Sequence, residues 1–533
     1  MHTALDDGPK FQHLLDDIFE EVRMLSSGVT RRPSLLHEIV DATAAEYPDN
    51  IAVRTEAQEI TYAQLKSMSG SLARHLHDLG VRRGDRVVII VENSIPVPVT
   101  AIAASRIGAI FAVLDPMIKS FSLQPVLDDC SPMAVVTTDI LAEQHGLRPR
   151  FNVVTVDGDY EDALTKEVWS EPCPAISIDP MGLFFTSGTT SHVKAIVSPH
   201  DRVLFSTRAI QRRLGYRTGD VVGSFLPMSF DYGFYQFILA ASVGATLAMG
   251  RPNDPSVTFV RKLREWGSTI FPMTPSLAYV IVRIASRELS ALPPLRMVTN
   301  TGSHLPAAHI AKLRELFSGL RVYVMFGLTE CKRVSILDSD ELDRRPTSVG
   351  RPLDDTECLI VDPSGNVLPP GEVGELVVRG PHVMSGYWRA PDETAKRFRQ
   401  RGPGTEIALH TGDLASLDDE GYLYFHGRHD DIFKQHGYRV SASEIEHAAL
   451  DVYGVTGAAV LPPTVKRGAV LLVTGDITES AMFDGLRERL EHYRVPETIR
   501  IVAELPRTQR GKINKNALSR DFDLVLMDDM DAT

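Results

Sequence analysis

The chain has 533 residues, of which 43% are hydrophobic and 23% charged, and this composition predicts a globular protein rather than a disordered or fibrous one. Its 69 Asp and Glu residues outnumber its 56 Lys and Arg residues, and the formal net charge of −13 disfavours a nucleic-acid partner. Because we find no apolar run of about 18 residues and no signal-peptide pattern, we expect a cytoplasmic protein without membrane insertion.

Changes in sequence character along the chain predict four regions. Residues 1–34 form a polar and helical N-terminal preface. Residues 35–429 form a large N-terminal domain, in which helical and strand patterns alternate up to about residue 300 and Pro and Gly turns mark a β-rich subdomain at about 350–425. Residues 430–520 form a small C-terminal α+β domain, and residues 521–533 form an acidic tail.

One helix and the strand after it illustrate the alternation. Apolar residues between 65 and 79 are spaced three and four apart, which predicts an amphipathic helix that ends at Gly80. A turn at Gly84 and Asp85 follows, and the β-branched run from Val87 to Val91 predicts a buried strand. The predicted fold class is therefore α/β, with parallel sheets covered by helices.

A loop rich in small and hydroxyl-bearing residues follows an apolar strand that begins at Leu183, and it is the strongest chemical signal. Backbone N–H and side-chain O–H groups in such a loop bind phosphate oxygens, and a lysine adds positive charge. The loop lacks the GxxxxGK[ST] spacing of a Walker motif, and a flexible surface turn is the alternative. The candidate phosphate-binding residues are Thr186, Ser187, Gly188, Thr189, Thr190 and Lys194.

A second strand, which begins at Tyr323, is followed by Phe326, Thr329 and Glu330. An aromatic ring, a hydroxyl and a carboxylate at the end of a strand suit base stacking, phosphate binding and Mg²⁺ coordination, respectively. The alternative is that Phe326 belongs to the core and that Glu330 is a solvated loop residue.

Two further motifs lie nearer the C-terminus. Asp413 stands at a turn, and a carboxylate there is the usual ligand of ribose hydroxyls because it accepts two hydrogen bonds. A basic loop at 506–515 contains Lys512, and taken alone it would be a solvated surface.

In this order and at these separations, the four motifs resemble those of the adenylate-forming superfamily of acyl-CoA synthetases, amino-acid adenylation domains and luciferases. The resemblance covers about residues 35–520 and extends to the stretches 60–65, 108–116, 374–376, 386–388, 434–440, 444–446 and 493–496. It implies a large N-terminal domain of two αβ subdomains plus a distorted β-barrel, with a small mobile α+β C-terminal domain and the active site between the two domains.

The resemblance also implies a role for each motif residue. The loop from Thr186 to Thr190, with Lys194, would bind the β- and γ-phosphates of ATP, and the implied catalytic residues are Lys512, Glu330, Thr329 and Lys194. The other implied roles are adenine stacking by Phe326 beside Gly302 and Ser303, α-phosphate binding by Thr329, Mg²⁺ coordination by Glu330, ribose binding by Asp413 and Arg428, a hinge at Asp430 and a thiol-tunnel loop at Gly437. Lys512 would bridge the substrate carboxylate and the α-phosphate.

A two-step reaction follows from the resemblance. The carboxylate attacks the α-phosphorus of ATP and pyrophosphate leaves, after which a thiol attacks the acyl-adenylate. The family loop has the pattern SGTTGxPKG, whereas Ser191, Val193 and Ala195 replace a glycine, a proline and a glycine here. We expect pyrophosphate binding to persist because the hydroxyls and Lys194 remain. A homologue that binds ATP without turnover is the alternative.

Asp231 occupies the position at which amino-acid-activating members of the family carry the aspartate that pairs with the substrate ammonium. The alternative is a structural Asp231 that caps the following helix. Lys332 and Arg333, which follow Glu330 after one intervening cysteine, occupy positions where relatives carry pocket-lining residues. If one of them faces the substrate, it would favour an acid with a second anionic group, as in β-amino acids of the aspartate type. Alternatively, both are solvated or paired internally. The further pocket residues are Tyr235, Thr299, Thr301, Lys332 and Arg333.

The chain ends 21 residues after Lys512 without a carrier domain, so we expect the acceptor thiol in trans. The first hypothesis is a stand-alone adenylation enzyme that activates an amino acid or small polar acid for a carrier protein, in biosynthesis of the nonribosomal-peptide type. The alternative is an acyl- or aryl-CoA ligase that uses free CoA and in which Asp231 is structural. The sequence predicts no oligomeric state.

Overall fold

The computed structural model describes residues 32–186, 194–252, 254, 256–286, 292–302, 304–400, 406–428, 431–435, 438–464, 467–490, 492–507, 513–515 and 517–520. Its helices are α1 Leu36–Glu46, α2 Tyr62–Asp78, α3 Pro96–Arg106, α4 Ser120–Cys130, α5 Asp139–Gln144, α6 Asp159–Leu164, α7 His200–Leu214, α8 Asp231–Ala241, α9 Ser256–Glu265, α10 Pro275–Ala285, α11 Ala307–Leu316, α12 Pro391–Arg397, α13 Ala442–Leu450 and α14 Glu479–Arg487. In addition, 3₁₀ turns span Ser339–Glu341 and His492–Arg494.

The strands follow in chain order between and after these helices. They are β1 Ile51–Arg54, β2 Glu59–Thr61, β3 Arg86–Ile90, β4 Ile110–Val113, β5 Ala134–Thr137, β6 Asn152–Thr155, β7 Pro180–Thr186, β8 Lys194–Pro199, β9 Val221–Ser224, β10 Thr246–Met249, β11 Ile270–Met273, β12 Met297–Asn300 and β13 Arg321–Phe326. The remaining strands are β14 Ser335–Leu337, β15 Ser348–Pro352, β16 Glu357–Val361, β17 Gly374–Arg379, β18 Phe398–Gln400, β19 Ile407–Leu417, β20 Leu423–Arg428, β21 Ile432–Gln435, β22 Tyr438–Ser441, β23 Val455–Leu461, β24 Val470–Gly475 and β25 Thr498–Ile501.

The helix and strand predicted between residues 65 and 91 are α2 and β3. The Thr61 side chain accepts a hydrogen bond from the Gln64 backbone N–H and thereby caps α2, and Leu65, Leu72 and Leu76 face the core. Strand β3 is buried along most of its length, as expected for an inner strand of a parallel sheet. These two predictions are confirmed.

The first sheet has the strand order β6-β5-β3-β4-β7-β8. Its strands are parallel except for β8, which returns antiparallel to β7, so that the predicted phosphate loop connects two adjacent strands at the sheet edge. Apolar side chains from this sheet and from helices α1 to α3 and α8 contribute to the largest buried cluster.

The second sheet begins with a parallel half of order β13-β12-β11-β9-β10-β1, followed at one edge by antiparallel β2. At its other edge β14, β15, β20, β19, β17 and β16 continue it with antiparallel pairing, and β18 pairs with β19. This antiparallel part corresponds to the predicted β-rich subdomain. The sheets and helices together confirm the α/β fold class.

The C-terminal part has its own sheet and its own core. Strands β23, β24 and β25 form a three-stranded sheet, and β21 and β22 form a hairpin before α13. The rings of His304, after β12, and His447, on α13, stack with centroids 4.6 Å apart, which connects this part to the second sheet. The domain boundaries at residues 34, 429 and 520 stay predictions. In the part of the chain that the structure describes, no helix is long and apolar enough to cross a membrane.

Candidate nucleotide and acid-binding site

The predicted phosphate loop begins and ends on one pair of facing backbone positions. Thr186, the last residue of β7, is opposite Lys194, the first residue of β8. Ala195, one of the three departures from the family pattern, is buried in β8. The intervening candidates Ser187, Gly188, Thr189 and Thr190 lie outside the described residues, as do Ser191 and Val193.

Lys194 is held by a segment that includes the stretch 386–388, for which the sequence predicted no contact with this lysine. Its Nζ lies 2.6 Å from Oε2 of Glu393 and 5.4 Å from the centroid of the Tyr387 ring. Both partners belong to residues 384–397, which we call the strap. No local pattern in the sequence signals this contact, because 199 residues separate Lys194 and Glu393 along the chain.

Glu330 is buried and contacts the same strap. Its Oε1 accepts a 2.7 Å hydrogen bond from the Tyr387 hydroxyl, and its backbone oxygen accepts a 2.8 Å bond from the Met384 N–H. Burial and the nearby Glu330 carboxylate raise the pKa of Tyr387, so the phenol stays protonated and continues to donate. Arg397 approaches Oε1 to 3.9 Å. The alternative interpretation of Glu330 as a solvated loop residue is therefore wrong, and its role as a Mg²⁺ ligand stays a prediction.

The geometry around Glu330 is compatible with Mg²⁺ shared with a nucleotide. Mg²⁺ usually takes one or two protein carboxylates and completes its shell with phosphate and water oxygens. A single buried carboxylate, oriented by a tyrosine hydroxyl, fits such a shared shell. The described residues contain no group of three or more His, Cys, Asp or Glu side chains that could enclose a metal by themselves.

The candidate adenine-binding residues lie at the ends of adjacent strands. Phe326 ends β13, is half-buried and packs against Phe425 with ring centroids 5.4 Å apart. Gly302 follows β12, the parallel neighbour of β13, and its φ of 92° is one that glycine adopts without strain. Thr329 lies half-buried in the turn after β13, whereas Ser303 is outside the described residues. The structure therefore brings Gly302, Phe326 and Thr329 to one edge of the sheet.

The two candidate ribose ligands face each other across an antiparallel pair. Asp413 of β19 is in register with Arg428 of β20, and Nε of the arginine lies 3.6 Å from Oδ1 of the aspartate. Asp413 is buried, and its backbone N–H donates to Oγ1 of Thr411. The arginine side chain keeps 38% of its surface exposed, so the pair is accessible from one side. Asp430, Gly437 and Lys512 lie outside the described residues.

Asp231, a candidate acid-pocket residue, is the first residue of α8. Its Oδ1 accepts a 2.8 Å hydrogen bond from the Tyr232 N–H, and its Oδ2 lies 3.8 Å from Nζ of Lys332. Both charged side chains are largely buried, with 11% and 3% of their surfaces exposed. Phe230 is the N-cap of α8 and no side-chain cap bond is present, so the capping interpretation of Asp231 is not observed. Its pairing with a substrate ammonium stays a prediction. Tyr235 is buried one helical turn further on.

Lys332 enters the pocket from a backbone of left-handed conformation, with φ of 61°. Its ammonium lies 3.9 Å from the centroid of the Phe184 ring and 5.7 Å from that of Tyr235. Burial lowers the pKa of Lys332 to about 8, while the Asp231 charge opposes that shift. Phe184 is a pocket residue that sequence reasoning missed, because it lies within an apolar strand that looked like core.

Arg333 is also buried. Its Nη1 donates a 2.5 Å hydrogen bond to Oγ1 of Thr301, and its guanidinium lies 5.5 Å from the centroid of the Tyr232 ring. The Tyr232 hydroxyl in turn lies 2.7 Å from Oγ1 of Thr299. Burial lowers the pKa of Arg333. The interpretation that Lys332 and Arg333 are solvated is therefore wrong, and Lys332 is paired internally.

Candidate nucleotide-binding residues after β12 and β13, together with the buried charged residues Lys332 and Arg333, fit an enzyme that activates carboxylic acids by adenylation. A family model described as AMP-binding enzyme matches residues 40–388, and the chain belongs to this family. It is an ATP-dependent, AMP-forming ligase that activates a carboxylic acid. The recognised resemblance and the predicted enzyme class are thus confirmed.

Curated relatives of similar length include a CoA-ligase-like protein and a zwittermicin A synthase. The 4-coumarate–CoA ligase-like 4 of Oryza sativa subsp. japonica is 27% identical over 93% of this chain and 92% of its own length. Zwittermicin A synthase ZmaJ of Bacillus cereus is 28% identical over 91% of this chain and 94% of its own length.

Among solved structures, VinN is 35% identical, covers 74% of this chain and 98% of its own, and has a TM-score of 0.69. A complex of VinN with L-aspartate matches equally, with a TM-score of 0.68. The anthranilate CoA ligase AuaEII superposes over 92% of this chain and 98% of its own with a TM-score of 0.85, and at 22% identity it shows the shared fold alone.

Proposed function

We propose that this ligase activates an amino acid with a second carboxylate, of the aspartate type, and transfers it to the phosphopantetheine thiol of a carrier protein. The observation that carries the proposal is the charge set of the acid pocket. One buried anion, Asp231, is accompanied by two buried cations, Lys332 and Arg333.

A substrate ammonium and a second carboxylate complement this set. Buried charges are unfavourable unless they are paired, and Asp231 alone cannot neutralise both cations. A substrate ammonium that binds Asp231 leaves Lys332 and Arg333 for a carboxylate, for which the guanidinium offers several N–H donors. The 35% identity to VinN, whose structure with L-aspartate is known, supports this assignment.

The remaining candidate residues would then carry out adenylation. We expect Phe326 and Gly302 to contact the adenine, Asp413 and Arg428 the ribose, and Thr329 the α-phosphate. The substrate carboxylate oxygen forms a bond to the α-phosphorus while the bond to the pyrophosphate oxygen breaks. Mg²⁺, held by Glu330, would offset negative charge on the phosphates. Lys512 would orient the carboxylate against the α-phosphate, and loss of such a preorganised charge typically costs a few kcal/mol in the transition state.

The acceptor thiol reacts in the second step, in which the thioester forms. The sulfur of the thiol attacks the acyl carbonyl carbon, AMP leaves and the thiol proton passes to solvent. A carrier protein is the first hypothesis for this acceptor, whereas the CoA ligases among the relatives support free CoA.

An acyl- or aryl-CoA ligase is the second candidate function, and one observation favours it. Asp231 already has Lys332 as a partner at 3.8 Å and accepts the Tyr232 N–H. It could therefore fulfil a structural role with no substrate ammonium present. In that enzyme the cations would bind a carboxylate of an acid without an amino group.

The deciding experiment is ATP–pyrophosphate exchange with matched acids. L-Aspartate and β-amino acids of the aspartate type are compared with asparagine, succinate, β-alanine, benzoate and octanoate. We expect exchange with the aspartate-type acids alone, since asparagine lacks the second charge and succinate lacks the ammonium. Equal exchange with succinate would favour the second candidate function, and exchange with octanoate or benzoate only would contradict both uses of the charged pocket.

The acceptor is tested separately with the preferred acid. Free CoA and a phosphopantetheinylated carrier protein from the same genome are offered at equal concentration, and thioesters are measured by mass spectrometry. Transfer to the carrier protein is expected. Transfer to CoA alone would contradict that half of the proposal and leave the acid assignment intact.

A further inference from the structure

The strap, residues 384–397, is fixed across the start of β8. The Ser385 N–H donates to the Val197 oxygen at 3.1 Å, and the Val197 N–H donates to the Gly386 oxygen at 2.9 Å. The Trp388 N–H donates to the Ala195 oxygen at 2.8 Å. These backbone hydrogen bonds add a short antiparallel stretch to β8 and hold the strap beside the residue that begins this strand.

Glu393 reaches Lys194 from the first turn of α12. The helix begins at Pro391, and Oγ1 of Thr394 accepts the Tyr387 N–H at 2.9 Å and donates to the Ala390 oxygen at 2.8 Å. These bonds connect the helix to the strap, so the position of Glu393 is determined by β8 itself. Its carboxylate lies 2.6 Å from the Lys194 ammonium.

Tyr387 contacts both Lys194 and Glu330. Its ring face lies 5.4 Å from the Lys194 ammonium, and its hydroxyl donates to Oε1 of Glu330 at 2.7 Å. One strap residue therefore contacts both the lysine beside the predicted phosphate loop and the carboxylate predicted to hold Mg²⁺. The strap thus sets the separation of Lys194 and Glu330.

We propose that Glu393 is a positioning residue that orders the Lys194 ammonium for the phosphates of ATP before the nucleotide binds. This inference rests on the proposed function, with Lys194 in the phosphate-binding role that the family resemblance implies. A lysine ammonium has three N–H donors, so its contact with Glu393 is compatible with contacts to phosphate oxygens. Ordering a long side chain in advance reduces the entropy lost on binding.

The negative charge of Glu393 does not prevent phosphate binding, because a second cation balances it. Lys396, one helical turn along α12, also contacts the Glu393 carboxylate. The pair Lys194–Glu393 is partly exposed, with 23% and 36% of the side-chain surfaces accessible. The acidic side chain therefore acts on ATP through the orientation of Lys194.

The test is a double-mutant cycle on ATP affinity. Wild type, Glu393→Gln, Lys194→Ala and the double variant are compared by calorimetric titration with ATP and Mg²⁺ in the absence of acid, so that no turnover occurs. We expect Glu393→Gln to weaken ATP binding about three- to tenfold, the range for a charge-assisted contact at a partly exposed site. The same change in the Lys194→Ala background should have no further effect.

Glu315→Gln is the matched control. Lys312 and Glu315 on α11 form an exposed pair at the same 2.6 Å distance, away from the nucleotide-binding strand ends. This variant should bind ATP as wild type does. A role of Glu393 in stability alone would lower the melting temperature and leave ATP affinity unchanged, which overturns the proposal.

Two further outcomes would also overturn it. Tighter ATP binding by Glu393→Gln would mean that the carboxylate competes with phosphate, and an equal loss with and without Lys194 would mean that it acts by another route. Failure of the proposed function is distinguishable, because the cycle measures ATP binding alone. If no aspartate-type acid supports exchange while the cycle shows coupling, the positioning role stands and the proposed acid substrate is wrong.

Discussion

Replacing Arg333 with methionine removes the pocket cation with the most hydrogen-bond donors while nearly keeping its side-chain length. The guanidinium is buried and donates to Thr301 at 2.5 Å. If it also binds the second carboxylate of the substrate, the lost charge-assisted hydrogen bond is worth about 1.5–3 kcal/mol. That corresponds to a loss of about 10- to 150-fold in kcat/KM.

The assay is the ratio of kcat/KM for L-aspartate to that for L-asparagine in pyrophosphate exchange. The two acids have nearly the same shape and differ in the charge of one group, so a general disturbance of the pocket affects both. We expect Arg333→Met to lower the aspartate value and to leave the asparagine value within a few-fold. An equal loss for both acids would refute the idea that Arg333 recognises a carboxylate.

Stability provides an independent measurement for the same variant. Burial lowers the pKa of Arg333, which means that the protein environment disfavours its charge. An apolar side chain of similar volume is therefore expected to leave the free energy of unfolding unchanged or raised. Arg345→Met is the control, since that guanidinium lies 3.9 Å from the Tyr422 ring centroid and contacts Asp418 in the β-rich part. Its aspartate-to-asparagine ratio should equal that of wild type.

Three more predictions follow from the structure. Tyr387→Phe removes the donor to Glu330, so the free energy of unfolding in urea should fall by about 1.5–3 kcal/mol and the Mg²⁺ concentration for half-maximal exchange should rise. Asp231→Asn should lower exchange with the preferred amino acid by about 10- to 100-fold and leave exchange with its des-amino counterpart unchanged, because only the former offers an ammonium. Burial, assisted by the His37 charge, lowers the pKa of His200 to about 3, so the unfolded state binds the proton as pH falls below about 6.5. Stability should then decrease by about 1.4 kcal/mol per pH unit, and His200→Asn should flatten that slope.

The Tyr387→Phe variant has a matched control, and the other two variants each have a result that would contradict the expectation. Tyr424→Phe removes a hydroxyl that donates to Asp418 at 3.1 Å, and it should not alter the Mg²⁺ dependence. An Asp231→Asn variant that loses exchange equally with both acids would make this carboxylate structural. A pH dependence identical in wild type and His200→Asn would exclude that histidine as the proton-binding group.

The candidate nucleotide residues could be predicted from the sequence because they follow strands directly. Phe326 and Thr329 come after β13, and Gly302 comes after the adjacent parallel strand β12. Carboxyl ends of parallel strands meet at one sheet edge, so local order along the chain becomes proximity in space. Asp413 and Arg428 meet for a similar reason, since an antiparallel turn pairs their strands in register.

The charged contacts could not be predicted in the same way, because they depend on elements that are distant in sequence. Glu393 reaches Lys194 only through the hydrogen bonds of the strap with β8. Lys332 turns into the pocket because the chain folds back on itself after β13, where a Cβ on Gly327 would lie 2.1 Å from the Lys332 oxygen. A sequence motif identifies these residues. The tertiary structure determines whether their charged groups contact water, another side chain or a ligand.

The pair of Asp231 and Lys332 gives the acid pocket a physical basis for selecting substrates. Unit charges about 4 Å apart interact by about 4 kcal/mol at an effective dielectric constant of about 20, and this pair is separated by 3.8 Å. Consider an amino acid with a single carboxylate. When its ammonium binds Asp231, it competes with Lys332 for the Asp231 carboxylate. An aspartate-type acid brings a carboxylate that replaces the anion Lys332 gives up. The contact between Asp231 and Lys332 would allow Asp231 a structural role. The same contact therefore weakens the binding of an amino acid that brings an ammonium to Asp231 but no second carboxylate to Lys332.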